Sequence, residues 1–497
     1  MKKTYIKSIL LSASLAFVSV GCSDSFLEES PTRYVSVSDV EGTAKIYPEI
    51  SDGTLRGVYE MMFKTGTGGT TDHADFGQKG YDIYSDLLSG DIALTKNSYN
   101  RYNNFAQLIS TVDFTFDAPN YMAWRYYYRI INASNLVIQS LGGNDAVITD
   151  VNRRAMGQAK ALRAYAYFYL TQFYIPEYTP TSTVLPIYTE PNSPAKAQST
   201  TDEVYKLMIK DLEEAVTLLD GFNRTNDYAI NQNVARGLLA YVYASMGDSA
   251  NNMKAKALAE AVIMSGDFPL TTKEALTGGF NNINTSPSWM WGVDLTLDNG
   301  LDLISWWGQM DVFTYSYQFA GDKKAIDVNL YNSIKANDAR KGQFLNNPAS
   351  SNHLAPLNKF YAPERIEGRQ RNIETDYIYM RIEEMYLLSA EMSAKEGADA
   401  DAINRLKEVL AIRFDNAADY AYVDALTGKA LQDEIYLQTR IEFVAEGKSY
   451  LALKRNKGTV TRGANHLYLV NEPILYNDNR LDLEIPQSEI QNNPFIN

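Results

Sequence analysis

Apolar residues recur at intervals of three and four along two long blocks of this 497-residue chain. In one of these stretches Ala159, Leu162 and Ala166 fall on a single helical face. This spacing is typical of amphipathic helices, and glycine or proline follows several of the periodic stretches as a stop signal. The pattern predicts helices over residues 121–141, 153–174, 201–219, 231–246, 254–264, 377–395, 400–412 and 428–454.

The predicted helices follow one another through short turns, so neighbours in the chain are expected to pack antiparallel. Small residues such as Ala159, Ala166 and Ala240 stand where two such helices would approach closely. The predicted fold class is mostly α, with an irregular scaffold of tetratricopeptide-like helical pairs over residues 119–266 and 376–455. Stacks of this kind usually serve as binding scaffolds.

Two stretches interrupt the helical pattern. Residues 60–118 are mixed, with a Gly-rich run at 66–70, and residues 267–370 lack helical periodicity and are rich in Asn, Gly and Trp. Long irregular segments in a compact protein are often functional. We therefore expect these stretches to form a loop-rich, mixed ligand-binding region within a single domain that spans residues 35–497.

The first residues have the form of a secretion signal. Three lysines accompany a short apolar stretch at 9–18, which is too short to span a membrane. The chain's single cysteine, Cys22, follows small residues, as in the lipobox of bacterial lipoproteins. We expect residues 1–21 to be removed, Cys22 to be lipidated and residues 22–34 to form a polar tether. The alternative is an ordinary signal peptide with an incidental cysteine.

Composition and charge exclude several classes of function. One cysteine forms no internal disulfide, and with three histidines it provides no ligand set for a cysteine- or histidine-based metal cluster. A formal net charge of −14 argues against nucleic acid, because proteins bind its phosphates mainly through Lys and Arg. No cofactor is expected, since nucleophile-elbow, zinc-protease, P-loop and dinucleotide-binding motifs are absent.

One short segment offers oxygen ligands of the type that calcium prefers. Asp294, Asp298, Asn299 and Asp302 surround Gly300. Their spacing fits no known calcium loop closely, so a solvated turn is the preferred interpretation and no metal site is predicted.

Several charged residues lie within the apolar helices. Burial of an unpaired charge is costly, so we expect ion pairs between helices that fix the stacking. A catalytic carboxylate pair is the alternative interpretation. The set comprises Arg163, Arg381, Arg440, Glu383, Glu384, Glu442 and Glu446.

Aromatic residues make up 12% of the chain, and four of the five tryptophans fall between positions 289 and 307. Sugars lay apolar C–H faces on aromatic rings, and their hydroxyl groups bond to amide, carboxylate and guanidinium groups. Neighbours on an extended segment point to opposite faces, so one ring of Trp306 and Trp307 is expected to be exposed. The candidate ligand contacts are Trp289, Trp306, Trp307, Tyr315, Tyr99, Tyr102, Asn97 and Asp86.

Five stretches of the sequence resemble the SusD/RagB family of outer-membrane nutrient-binding lipoproteins. They are CSDSFLE (22–28), QAKALRAYAYFYLTQFY (158–174), DYIYMRIEEMYLLSAE (376–391), RIEFVAEGKSYLALKR (440–455) and LEIPQSEIQNNP (483–494). Their order and spacing extend over essentially the whole chain. The sequence departs from the family's usual pattern at 409–410 and 448–452, both on predicted scaffold helices.

The resemblance implies a binding protein, not an enzyme, on the outer face of the outer membrane and anchored through the lipid on Cys22. It implies that ligand is bound on loops beside the helical scaffold and is passed to a SusC-like TonB-dependent transporter. The favoured hypothesis is capture of oligosaccharides or polysaccharide fragments for import. An oligopeptide-binding protein of the same fold and a surface glycan hydrolase are the alternatives.

Overall fold

The computed structural model describes residues 49–115 and 117–496. The expected signal segment, Cys22 and the tether therefore lie outside the described residues. The helices of the described part are α1 (Glu49–Glu60), α2 (Gln78–Ser89), α3 (Asn103–Ala106), α4 (Asp117–Ser140), α5 (Arg153–Tyr174), α6 (Thr201–Leu218), α7 (Gln232–Met246), α8 (Ser249–Ser265), α9 (Trp306–Met310), α10 (Tyr317–Ala320), α11 (Val328–Ser333), α12 (Glu383–Lys395), α13 (Asp399–Ala411), α14 (Gly428–Glu442), α15 (Ser449–Arg455) and α16 (Gln487–Asn492). The strands are β1 (Ile92–Leu94), β2 (Thr183–Leu185), β3 (Ser199–Thr200), β4 (Trp289–Val293), β5 (Lys324–Ile326), β6 (Tyr377–Arg381), β7 (Thr459–Thr461) and β8 (Pro473–Leu475).

The long helices form a continuous stack of helical pairs. Helix α4 packs on α5, α5 on α6, α6 on α7 and α7 on α8. The stack then continues from α8 to α12 and from α12 to α13, although the irregular segment 267–370 separates α8 from α12 in the chain. The fold is therefore mostly α, with the tetratricopeptide-like scaffold that the sequence predicts.

Local signals set the ends of several scaffold helices. Helix α5 spans the predicted residues Arg153–Tyr174. At the start of α6, Thr200 and Glu203 form a reciprocal capping box, and Asn231 caps α7 by accepting the Val234 N–H. Because these contacts lie within one turn of the chain, the sequence predicts the ends of these helices well.

The prediction of one helix over 377–395 is wrong at its start. Residues Tyr377–Arg381 form β6, and α12 begins only at Glu383. Strand β6 pairs antiparallel with β4 of the irregular segment. Aromatic and β-branched residues suit either a buried helix or a strand, and the distant partner strand decides the outcome here.

The prediction of one helix over 428–454 is also wrong, because the segment divides into α14 and α15. Ala445 and Gly447 lie between the two helices with φ of 64° and 74°. A Cβ atom on residue 447 would lie 2.7 Å from Cβ of Asp82. Glycine therefore allows this turn to lie directly against α2.

The irregular segment is joined to the N-terminal loops by a short antiparallel sheet. Strand β1 pairs with β5, with Ile92 opposite Ile326 and Leu94 opposite Lys324. Beyond the strands, the Thr95 N–H donates to the Lys323 carbonyl oxygen at 2.8 Å. This pairing brings together two loops from opposite halves of the sequence, and those loops carry the candidate site.

The charges predicted to lie in apolar helices all form ion pairs, but among the described residues only one of these pairs joins two helices, and Arg381 lies in β6. Arg163 of α5 binds Asp211 of α6 at 2.7 Å, and Arg440 binds Asp91 at 2.6 Å. Glu384 pairs with Lys448. Arg381, Glu383, Glu442 and Glu446 pair within one larger cluster. This buried charge cluster consists of Arg340, Lys359, Arg381, Arg413, Asp338, Glu383, Glu442 and Glu446.

Acid is expected to destabilise the protein through these paired carboxylates. Burial opposes ionisation of Glu446, but Arg381 and Lys359 outweigh it and lower its pKa to about 2. A glutamate in the unfolded chain has a pKa of about 4.3, so this stabilisation is complete above that pH and is lost as the pH falls towards about 2. Thermal midpoints measured by circular dichroism should fall steeply across this interval. The Glu446→Gln variant should show a shallower fall, and equal slopes would contradict the prediction.

Candidate functional site

Three of the predicted ligand contacts are core residues. Trp306 and Trp307 lie in α9 and are 2% and 0% exposed. Their rings pack on Phe360, with centroids 4.7 and 6.4 Å away. The prediction that one of these rings is exposed is wrong, because the segment is a buried helical turn and not an extended strand. Trp289 is likewise buried, in β4.

Asp86 is also a core residue, on helix α2, whose side chains are buried along its length. The carboxylate accepts the Gly447 N–H at 3.2 Å. Burial, together with the neighbouring Asp82, raises the pKa of Asp86 well above its ordinary range. The interpretation of residues 60–118 as loop-rich missed this helix, and Asp86 supports the α14–α15 turn.

Three of the four remaining predicted contacts lie in the loop that follows β1. Tyr99 is 55% exposed, whereas Tyr102 is buried with its ring edge on Tyr84. Asn97 is half-buried, and its amide donates to Asn103 Oδ1 at 2.6 Å. Of these three residues, only Tyr99 presents a free aromatic surface.

Exposed and partly exposed aromatic rings from three segments meet beside this loop. The ring centroids of Tyr99 and Tyr317 are 5.8 Å apart, and those of Tyr317 and His73 are 5.7 Å apart. Tyr317 Oη and His73 Nδ1 lie 2.6 Å from each other. The structure thus unites Tyr99 with a tyrosine from the other predicted ligand segment.

A second ring pair lies in the same segment as Tyr317, at residues 315 and 319. Tyr315 is 43% exposed, and its ring centroid is 5.9 Å from that of Phe319. The Arg371 guanidinium lies 3.9 Å from the Tyr315 ring centroid. We call His73, Tyr99, Tyr315, Tyr317 and Phe319 together the aromatic platform.

A buried carboxylate holds the Tyr99 loop against the platform. Asp322 accepts the N–H of Tyr99 at 2.7 Å and the N–H of Arg101 at 3.0 Å. The intervening Asn100 has a left-handed backbone, with φ of 60°. Alternate N–H groups directed at one anion form a nest, which binds a carboxylate well. Residue 322 therefore fixes a loop more than two hundred positions earlier in the chain.

A cleft of about 400 Å³ with both polar and apolar lining residues adjoins the platform. Arg101 and Asp72 border it, 3.2 Å apart, and the Arg101 guanidinium also lies 5.3 Å from the Tyr317 ring centroid. Two buried hydroxyl groups of its lining, Tyr102 Oη and Ser110 Oγ, have no hydrogen-bond partner among the described residues. The cleft and the platform thus bring together aromatic rings, the Arg101 guanidinium, the Asp72 carboxylate and two hydroxyl groups that lack a partner in the described part of the chain.

The acidic residues around Gly300, a candidate calcium loop in the sequence, make local turn contacts. Asp294 accepts the Asn284 amide at 3.1 Å, and Asp302 accepts the Ile304 N–H at 3.1 Å. Within residues 49–115 and 117–496, no group of three His, Cys, Asp or Glu side chains is placed to hold a metal ion.

Family models match two long parts of the chain. Residues 74–244 match a SusD-like model described as starch-binding and associating with the outer membrane, and residues 313–496 match the SusD/RagB model of the SusD family. The chain belongs to the SusD/RagB family. Among curated proteins, no sequence matches it.

Solved structures show that this SusD/RagB protein has the fold of its family. A SusD-like carbohydrate binding protein from Bacteroides vulgatus ATCC 8482 superimposes with a TM-score of 0.75 at 23% identity, over 90% of this chain and 96% of the other. A SusD superfamily protein from Bacteroides thetaiotaomicron VPI-5482 gives 0.74 at 23% identity, over 93% and 99%. Surface glycan-binding protein A from Bacteroides uniformis gives 0.66 at 18% identity, over 90% and 99%.

In the described part of this SusD/RagB protein, no helix combines the length and apolar character needed to cross a membrane.

Several residues of the site were not predicted from the sequence, namely Asp72, His73, Arg101 and Asp322. No local pattern marks them, because they meet through contacts between separate segments, Asp72 with Arg101, His73 with Tyr317 and Asp322 with the loop at 99–101.

Proposed function

We propose that this protein captures an oligosaccharide on the aromatic platform without cleaving it. The observation that carries the proposal is the contact of exposed Tyr99 with Tyr317, together with exposed Tyr315, which lies two residues before Tyr317 and packs on Phe319. Such rings can stack on the C–H faces of sugars. Arg101 and Asp72 beside them offer hydrogen bonds to hydroxyl groups.

The cellular role that we propose is that of a surface binding lipoprotein. Anchored through Cys22 in the outer membrane, it would deliver the oligosaccharide to a SusC-like TonB-dependent transporter for import. The description of the matching family model, starch-binding and associating with the outer membrane, supports this role. The names of two structural relatives, a carbohydrate binding protein and a surface glycan-binding protein, point the same way.

Calorimetric titration of the purified protein with a panel of glycans and peptides tests the ligand class. Calorimetry is preferable to tryptophan fluorescence, because Trp124, Trp289, Trp291, Trp306 and Trp307 are all buried. Affinity for at least one glycan and none for peptides is expected. Binding to peptides and to no glycan would contradict the proposal and favour an oligopeptide-binding protein. Shortened saccharide products after long incubation would favour a glycan hydrolase.

Alanine at Tyr99 or Tyr315 should weaken glycan binding. Each substitution removes one exposed stacking surface, worth roughly 0.5–1.5 kcal/mol, so affinity should fall roughly three- to tenfold. The Tyr99→Phe variant retains the ring and should bind nearly as the wild type does. Leu475→Ala, at an exposed apolar residue outside the platform, is the matched control. Unchanged affinity in both alanine variants would refute the platform as the binding surface.

Affinity capture from solubilised outer membranes tests the partner. The lipidated protein should co-purify with a TonB-dependent transporter, whereas a Cys22→Ala variant should fail to reach the membrane fraction. Recovery of the wild-type protein without any transporter would contradict the delivery step.

A further inference from the structure

A second cleft, of about 600 Å³, runs along helix α4. It lies between that helix, the loop at 188–193 and α16, and we call it the α4 groove. It is larger than the cleft beside the platform, and the five platform residues take no part in its lining. The function proposed above therefore leaves the α4 groove without a role.

Three aromatic rings form a row along this groove. The centroid of Trp124 lies 4.8 Å from that of Tyr128, which lies 5.8 Å from that of Tyr188. Trp124 is buried, and the two tyrosines are partly exposed. Hydrogen bonds from Tyr128 Oη to the Pro186 carbonyl oxygen at 3.0 Å, and from Trp124 Nε1 to Glu489 Oε2 at 3.3 Å, fix the rings. The row is thus a preformed aromatic strip.

Polar side chains border the strip. Exposed Arg125 donates to Tyr121 Oη at 3.1 Å, and its guanidinium lies 5.8 Å from the Tyr121 ring centroid. Glu190 and Asn192 line the groove from the loop opposite, and Asn492 lines it from α16. In total two arginines and two glutamates face the groove, so their formal charges balance. This mixture of rings, amides and balanced charges suits a neutral ligand with many hydroxyl groups.

We propose that the α4 groove is a second saccharide-binding site, for a neutral oligosaccharide. This second site takes from the proposed function only the class of ligand, a saccharide, and it does not depend on binding at the platform. The two clefts lie along one helix, since Met122 lines the cleft beside the platform whereas Tyr121 and Arg125 line the groove. Once a long saccharide is bound at one site, its other end is held at a high effective concentration near the second site, so it binds more tightly overall. A short saccharide cannot reach both sites and gains nothing.

The test compares a groove variant, Tyr121→Ala with Arg125→Ala, and a platform variant, Tyr99→Ala with Tyr315→Ala. Native gels that contain soluble neutral polysaccharides such as amylopectin, xylan or mannan report polymer binding, and calorimetry with a trisaccharide of the retained polymer reports short-chain binding. Circular dichroism establishes that each variant is folded. If the groove pair fails to fold, the exposed single changes Arg125→Ala and Asn192→Ala replace it.

We expect the groove variant to lose at least about fivefold in polymer affinity, and the combination of both variants to lose all binding. Hydrogen exchange should also show protection of residues 121–132 and 188–193 by the polymer. Polymer affinity equal to wild type in the groove variant, with binding lost in the platform variant, would overturn the second site and keep the proposed function. Loss in the groove variant alone would keep the second site and refute the platform. No binding by the wild type would overturn both.

Discussion

Replacing Glu442 by alanine is expected to lower the free energy of unfolding by about 3–5 kcal/mol or more. The Glu442 carboxylate receives hydrogen bonds from Arg381 at 2.8 Å, Arg340 at 3.0 Å and Arg413 at 2.7 Å, and all four side chains are fully buried. Its removal leaves three guanidinium groups without the carboxylate that they share. Coulomb attraction in a buried site is strong, so the remaining acids compensate only in part.

Thermal and urea unfolding followed by circular dichroism check this expectation. Glu408→Ala is the matched control, because Glu408 also pairs with an arginine, Arg405, at 2.8 Å but is 44% exposed. An exposed pair contributes at most about 1 kcal/mol. Equal effects of the two substitutions would show that the buried charge cluster does not stabilise the fold in the way its geometry indicates.

Replacing Asp322 by alanine is expected to release the Tyr99 loop and to cost about tenfold or more in glycan affinity. The substitution leaves the N–H groups of Tyr99 and Arg101 without their acceptor, a loss of about 1–3 kcal/mol. The left-handed backbone at Asn100 then has less support. Asp322→Asn keeps a carbonyl acceptor and should have an intermediate effect.

Two measurements separate this positioning role from a general loss of stability. Limited trypsin digestion should cut the Asp322→Ala variant after Lys96 or Arg101 faster than the wild type. Asp376→Ala is the matched control, because Asp376 also accepts two backbone N–H groups, from Ile283 at 2.7 Å and Leu295 at 2.8 Å. It should destabilise the protein to a similar degree while glycan affinity is retained. Equal losses of affinity in both variants would contradict the positioning role.

The helical scaffold was predictable because its signals are local. Apolar periodicity, the Thr200 and Asn231 caps and the glycine stops all act within a turn or two of the chain. The predictions were wrong where a contact with a distant segment decides the local structure. Residues 377–381 form strand β6 because they pair with β4, and the sequence around β6 gives no sign of that pairing. The break between α14 and α15 likewise depends on the packing of Gly447 against Asp82.

The candidate site was predictable only in its outline. The sequence indicated two loop segments rich in aromatic and amide residues, and the structure does bring Tyr99 and Tyr317 together from those segments. Trp306 is predicted as a ligand contact because adjacent rings on an extended segment face opposite sides, yet it lies on a helical turn in the core against Phe360. A large ring in a segment without periodicity can fill a core as readily as it can bind a ligand, because burial depends on neighbours that the local sequence does not specify.

The sequence by itself determined the scaffold class and the family motifs, and it predicts a lipid anchor at Cys22 and argues against nucleic-acid partners. Periodicity, caps and charge are properties of neighbouring residues or of the whole composition, so they can be read without coordinates. The tertiary structure alone decided which aromatic rings are exposed, that Asp322 holds the Tyr99 loop, and that a second groove accompanies the platform. Each of these depends on contacts between segments far apart in the chain, which only folding brings together.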